Sequence, residues 1–238
     1  MPYPTMPILF PNSKFRHYRV KVDTFNFLKI KKKIYKPEQL KEELDKIPNI
    51  QGVYQTISLW LNPEHLGKKR VEEGVKLTLS QKIKNLQDNF FLSCNYLMDF
   101  DRKDYDSEKA MLENVERAKE LLWEMGMRKF VLQQTPHGGR QLIALDFDKW
   151  ANVNVAYPKD REYAYGMKLR RLTNILLTGL PNPNKEQVNE AKKKPYIFWD
   201  YNVSLNTRSL FRTPNTVGDN GVRVKLIEYP ENEMIFAK

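Results

Sequence analysis

The sequence predicts an α/β (α+β) domain of mixed, largely antiparallel sheets with flanking helices and a small helical insertion. Three observations carry this. Stretches rich in β-branched and aromatic residues recur along the chain, one long central stretch has helical periodicity, and a Gly-Gly turn separates two apolar runs as in a hairpin. The 238 residues suit one domain, 1–238, with 151–195 as the helical insertion.

The elements follow in order. FRHYRVKV and FNFLKIKKKIYK alternate enough to be strands. KPEQLKEELDKI reads as a helix, with Pro37 near its start and Leu40 and Leu44 four apart. NIQGVYQTISLWLNP reads as one strand, ended by Asn62-Pro63. Residues 66–90 are polar and are assigned no element. FFLSCNYLMDFD is nearly all apolar and reads as a strand buried on both faces. In DSEKAMLENVERAKELLWEMGM, Met111, Val115, Ala118, Leu122 and Met125 line one helix face. Asp106 or Ser107 suits its start and Gly126 its end. RKFVLQQTP and RQLIALDFD are strands about an HGG turn. In the insertion, REYAYGMKLRRLTNILLTG is a helix ending at Gly179, and KEQVNEAKKKP is a short basic one. YIFWDYNVSLNTRSLFRTPNTVGDNGVRVKLIEY returns to strands around a GDNG turn.

Composition narrows the chemistry. Hydrophobic residues make up 41%, enough for a core, and no apolar run reaches the ~18 residues of a membrane span. The N-terminal stretch has no signal pattern, so the expectation is an intracellular, cytoplasmic protein without membrane partners. Cys94 is the only cysteine, which excludes an internal disulfide and a multi-thiolate zinc site. His17, His65 and His137 are widely separated. A bound metal would therefore sit among oxygens, which suits Mg²⁺ or Mn²⁺. The net charge of +11 favours polyanions, mainly nucleic acid, unless it is only a solvated lysine-rich surface.

Asp99 and Asp101 close the central apolar run. On a strand, residues two apart share a face, and two carboxylates there need a counter-charge that divalent cations would supply. The plainer reading is a polar turn running on to Arg102, Lys103 and Asp104. Asp146 and Asp148 in LDFD repeat the pattern, and the local sequence does not choose between the pairs. In TPHGGRQL, Gly138 and Gly139 let backbone approach a phosphate and Arg140 adds a cationic fork, although a hairpin turn needs the same glycines. His137 alone carries no assignment. Asp200 after YIFW supplies a third carboxylate at an expected strand end, followed by Arg208 and Arg212, which would hold phosphates or form a surface pair.

Taken together, the order apolar-DxD, helix, strand, Gly-Gly-Arg turn, insertion, apolar-Asp and RSLFRTPNT resembles the archaeo-eukaryotic primase superfamily, in particular the catalytic small subunit of DNA primase and the primase-polymerases. Asp200, Val203, Ser204, Asn206, Arg208 or Ser209, Leu210, Phe211, Arg212, Pro214 and Thr216 follow the closing segment of that family. The resemblance spans roughly residues 15–230, with three short specific stretches. It selects Asp99 and Asp101 over Asp146 and Asp148, because only the first pair precedes the helix and the turn.

The resemblance implies a primase-like catalytic domain with its site in a cleft between two sheet-bearing lobes. Asp99, Asp101 and Asp200 would be catalytic and hold two Mg²⁺ or Mn²⁺ ions. One ion would activate the primer 3′-hydroxyl, and the other would bind the triphosphate and stabilise leaving pyrophosphate. His137, Gly138, Gly139, Arg140, Gln141, Arg208 and Arg212 would bind the nucleotide. Partners would be a single-stranded DNA template and nucleoside triphosphates, with a primase large subunit as a further candidate.

Three departures stand beside this. Gln141 replaces the family's phosphate-touching histidine, and His137 stands where a serine is usual. A second histidine and a lysine are replaced around VGDNG. The family's zinc element is missing, so no zinc is expected. Two functions are consistent with this pattern: a template-directed nucleotidyltransferase, and a weakened accessory subunit that binds single strands. A metal-dependent nuclease would leave RSLFRTPNT unexplained.

Overall fold

The central helix forms where its periodicity places it. In the computed structural model, which describes residues 2–23, 26–63 and 90–237, this helix is Glu108–Glu124. The Ser107 hydroxyl accepts from the Ala110 N–H at 3.1 Å, satisfying one of the free donors of the first turn. Met111, Val115, Ala118 and Leu122 are buried in one stripe.

The elements, in chain order, are β1 (Tyr18–Lys21), β2 (Phe27–Lys29), α1 (Pro37–Leu44), β3 (Gly52–Thr56), β4 (Ser58–Trp60), β5 (Phe91–Cys94), β6 (Tyr96–Phe100) and α2 (Glu108–Glu124). They continue as β7 (Phe130–Gln134), β8 (Arg140–Ala144), α3 (Phe147–Ala151), α4 (Pro158–Thr178), α5 (Lys185–Lys193), α6 (Tyr201–Ser204), β9 (Leu210–Arg212) and β10 (Lys225–Glu228). Residues 66–89 of the polar stretch lie outside the described residues.

A first sheet has the order β2-β1-β3-β9 and a second the order β10-β7-β8-β6, while β4 and β5 form a separate pair. Every described strand pair is antiparallel, as the expected largely antiparallel sheets require, and the parallel pairing that would make them mixed is absent among the described strands. The reason is that β8 lies between β6 and β7, so the parallel pair joined by α2 never becomes adjacent.

Both long apolar runs are divided rather than continuous. NIQGVYQTISLWLNP breaks at Ile57, leaving β3 in the first sheet and β4 in the small pair. FFLSCNYLMDFD breaks at Asn95, between β5 and β6. The breaks meet, since the Asn95 N–H donates to the Ile57 carbonyl at 3.0 Å. Arg16, 1% exposed, is buried beside them. Its Nη1 donates to Thr56 O at 2.8 Å, its Nη2 to Asn95 Oδ1 at 2.6 Å and its Nε to Pro11 O at 3.2 Å. The guanidinium lies against the adjoining rings of Phe10 and Phe211, 5.5 and 5.7 Å from their centroids. Burial lowers its pKa to about 10, so it remains charged at neutral pH.

Two other segments depart from expectation. RQLIALDFD is a strand only to Ala144, and its end turns into α3. Asp146 there accepts from the Arg128 and Lys129 N–H groups at 2.8 and 3.3 Å, fastening the approach to β7. The stretch YIFWD is irregular and leads into the single turn α6, so Asp200 caps a helix and does not end a strand. Helices α4 and α5 form as read, with Gly179 ending the first in a left-handed conformation. Leu169, Leu172 and Leu176 of α4 join the core under α2, so residues 151–195 are built into the main packing.

Replacing Arg16 by Ala leaves buried carbonyls without donors and opens a cavity, so we expect a loss of about 3 kcal/mol in urea unfolding. Arg16→Lys, which keeps the charge without the fork, is expected to fall between. A change of only a few tenths for both would show that the breaks at Ile57 and Asn95 do not depend on this side chain.

Candidate functional site

Asp99 lies opposite Gln141 of β8, and Gln141 lies opposite Gln133 of β7. Facing residues on paired strands point to the same side, so all three project from one face of the second sheet. Leu97, Val131 and Ile143 on that face pack with Phe211 of β9. The opposite face, with Met98, Phe100 and Leu142, is covered by α2. The polar group therefore looks toward the first sheet.

Three polar side chains in otherwise apolar strands need partners, and they find one another. Gln133 Nε2 donates to Gln141 Oε1 and to the Arg212 carbonyl, both at 2.8 Å. The Arg212 N–H donates to Gln141 Oε1 at 3.2 Å. Gln141 Nε2 in turn donates to Asp99 Oδ2 at 3.2 Å. This chain of bonds ties the two sheets together and sets the orientation of Asp99. The other carboxylate oxygen, Asp99 Oδ1, is buried with no hydrogen-bond partner. Burial, the nearby Asp101 and then Asp200 raise the Asp99 pKa to about 7, with Gln141 and Arg212 opposing.

Asp101 and Asp200 are brought to Asp99 by the backbone. The Asp200 N–H donates to the Asp99 carbonyl at 3.0 Å. The Tyr105 hydroxyl donates to Phe198 O, tethering the segment after Asp101 to the one before Asp200. Trp199 Nε1 bonds Ser204 Oγ at 2.9 Å, and that hydroxyl donates to Leu97 O on β6. Asp101 is half exposed, with Lys103 at 3.7 Å. Asp200 Oδ1 accepts from the Asn202 N–H at 3.1 Å.

Arg212 supplies the cation. Its guanidinium stacks on Tyr54 of β3 at 4.9 Å. A Cβ at Gly52 would lie 2.7 Å from Arg212 Nη1, so glycine there leaves the space this side chain uses. Burial raises the Tyr54 pKa, which also feels Arg212, Asp219 and Asp99. Asp219, from the GDNG turn, bonds His137 Nε2 at 2.9 Å. Partial burial opposes its ionisation, but His137 and Arg212 outweigh this and hold the carboxyl below its usual range.

The Gly-Gly turn has a packing reason. Gly138 takes a positive φ of 83°, and a Cβ on Gly139 would lie 2.8 Å from the Phe100 carbonyl. The turn therefore crosses directly over the end of β6, beside Asp101.

Arg140 and Arg208 lie elsewhere than expected. Arg140 faces Phe100 across the ladder, on the α2 side of the sheet, and bonds Gly138 O at 2.7 Å and Glu108 Oε1 at 2.8 Å. One residue of offset from Gln141 places it on the face away from Asp99. Arg208 pairs with Glu162 of α4 at 3.0 Å and lies over the Trp60 ring. Gln141, expected to touch phosphates, is buried and engaged with Asp99. Sequence reasoning missed Gln133 and Tyr54, although the glutamines in FVLQQ and RQLIA interrupt apolar strands and were a visible signal.

Among the described residues, no group of three or more His, Cys, Asp or Glu side chains is arranged as a ready-made metal site. The case for a cation rests on the unpartnered Asp99 Oδ1 and the two further carboxylates acting on it. Those oxygen donors suit Mg²⁺ or Mn²⁺.

With its raised pKa, Asp99 keeps a proton in the folded chain between about pH 4 and 7 that the unfolded chain has released. Its contribution to stability therefore declines as pH rises through that window. Thermal melts in chelator should show Asp99→Asn gaining on the parent as pH rises from 4 to 8. A constant difference across the range would contradict the raised pKa.

No protein-family model matches the chain, and no curated protein matches it. The site is thus characterised by its geometry: a carboxylate with one bare buried oxygen, two neighbouring carboxylates and a stacked arginine, facing the first sheet.

Proposed function

We propose that the chain is a template-directed nucleotidyltransferase of the primase or primase-polymerase type. The observation that carries this reading is the buried, unpartnered Asp99 Oδ1, acted on by Asp101 and Asp200 and facing Arg212. Asp99, Asp101 and Asp200 would hold divalent ions. When bound, such ions would supply activation of a 3′-hydroxyl and neutralisation of the leaving pyrophosphate.

The chain's own residues would do the positioning. Gln141 holds Asp99 Oδ2, leaving Oδ1 turned to the ligand. Arg212, braced by Tyr54, presents a fixed cation to the triphosphate. His137 and Gly138 border the cleft from the turn, and Asp219 anchors His137. The basic surface would carry template backbone.

A second reading, an accessory subunit that binds single strands with weakened catalysis, has a specific observation in its favour. Arg140 points away from Asp99 and Gln141 is engaged with protein groups, so two expected phosphate ligands are otherwise employed.

Primer extension on a single-stranded template with Mg²⁺ or Mn²⁺ separates the two. The parent is expected to incorporate nucleotides, and Asp99→Ala/Asp101→Ala to lose incorporation while still binding template. Full activity in that variant would sink the mechanism, whereas an inactive parent that binds template supports the accessory reading. Gln141→Leu, which frees Asp99 Oδ2, is expected to lower the rate about 10- to 100-fold and raise the metal concentration needed, as loss of a partner behind a metal ligand does. An unchanged metal requirement would remove Gln141 from that role.

A further inference from the structure

On its outer side, α4 carries a stripe that the core does not use. Tyr163, Met167 and Arg170 are spaced four and three apart, so they share one face. Tyr163 is 71% exposed and Met167 47%. Arg170 is exposed and has no carboxylate partner among the described residues. Between them, a Cβ at Gly166 would meet nothing within 4 Å, so the helix surface is notched there.

The other wall of this groove, of about 420 Å³, is the turn Leu205–Thr207. That turn follows α6 directly, and α6 begins at Asp200. The groove wall and Asp200 are therefore at opposite ends of the single turn α6. Its one carboxylate, Glu162, is engaged by Thr207 Oγ1 at 3.0 Å and by Arg208. Residues 158–194 hold nine basic side chains against four acidic ones.

We infer that this groove is a track for single-stranded nucleic acid, with bases on Tyr163 and Met167 and backbone phosphate at Arg170. An exposed aromatic with an adjacent arginine on a basic surface suits a single strand, since every base has a face to stack and every linkage a charge to neutralise. A larger groove on the far side of α2 makes the contrast. It too has an exposed aromatic, Trp123, with Arg128 stacked on it at 4.2 Å, but its four carboxylates, Glu116, Glu120, Glu124 and Glu228, outnumber its two cations, Lys119 and Arg128, and would repel a strand. The inference rests on the proposed function for its class of ligand and adds the surface on which the strand lies.

The test is fluorescence anisotropy with a labelled 20-mer of thymidylate, in chelator and low salt, so that no catalysis is involved. Tyr163→Ala/Arg170→Ala is expected to raise Kd at least tenfold, and Trp123→Ala to leave it within twofold. Both altered positions of the double variant are exposed, and Arg170→Glu alone provides a second variant with the same expected direction. Parent-like binding by these variants, an equal loss in Trp123→Ala, or no binding by the parent would overturn the inference. Primer extension judges the proposed function separately. An inactive parent that binds through Tyr163 and Arg170 would leave the track standing, and an active parent whose binding ignores them would remove the track alone.

Discussion

Much of this architecture depends on the guanidinium of Arg16. A buried cation without a carboxylate is costly unless its donors are matched, and here the matching acceptors are the backbone and amide oxygens at two strand breaks. Because β3 leaves its sheet at Ile57 and β5 gives way to β6 at Asn95, the second apolar run enters a different sheet from the one that β5 serves. Asp99 follows Asn95 by four residues. Where its side chain points is therefore a consequence of how that break is held.

Between the sheets, a second network has the opposite character. Gln133, Gln141 and the backbone of Arg212 bond one another and leave Gln133 Oε1 and one oxygen of Asp99 bare. Burial and then the neighbouring carboxylates raise the cost of ionising Asp99, and Gln141 and Arg212 only partly offset them. An arrangement that disfavours its own charge is a poor stabiliser and a good receptor for positive charge. The same residues thus join the sheets and set the environment of the Asp99 carboxylate.

The helices contribute in different ways. α2 covers the face of the second sheet away from the site and uses Glu108 to hold Arg140 there. α4 supplies core on one side through Leu169, Leu172 and Leu176, and on its outer side a basic aromatic surface next to α6. A segment read as an insertion is in this way both structural support and one wall of a surface groove.

The sequence by itself determined the elements whose signals are local: α2 from its apolar spacing with Asp106 or Ser107 at its start, α1 from Pro37, α4 from Gly179, and the hairpin from Gly138-Gly139. It also determined that Asp99 and Asp101 close a buried strand. Only the tertiary structure decided that the apolar runs break at Ile57 and Asn95, since apolar content is the same for one strand or two and the partner that stabilises the break, Arg16, is distant in sequence. The fold likewise separated Gln141 from Arg140. Adjacent residues on a strand face opposite ways, and which face meets Arg212 and which meets Glu108 depends on sheet pairing between segments far apart in the chain.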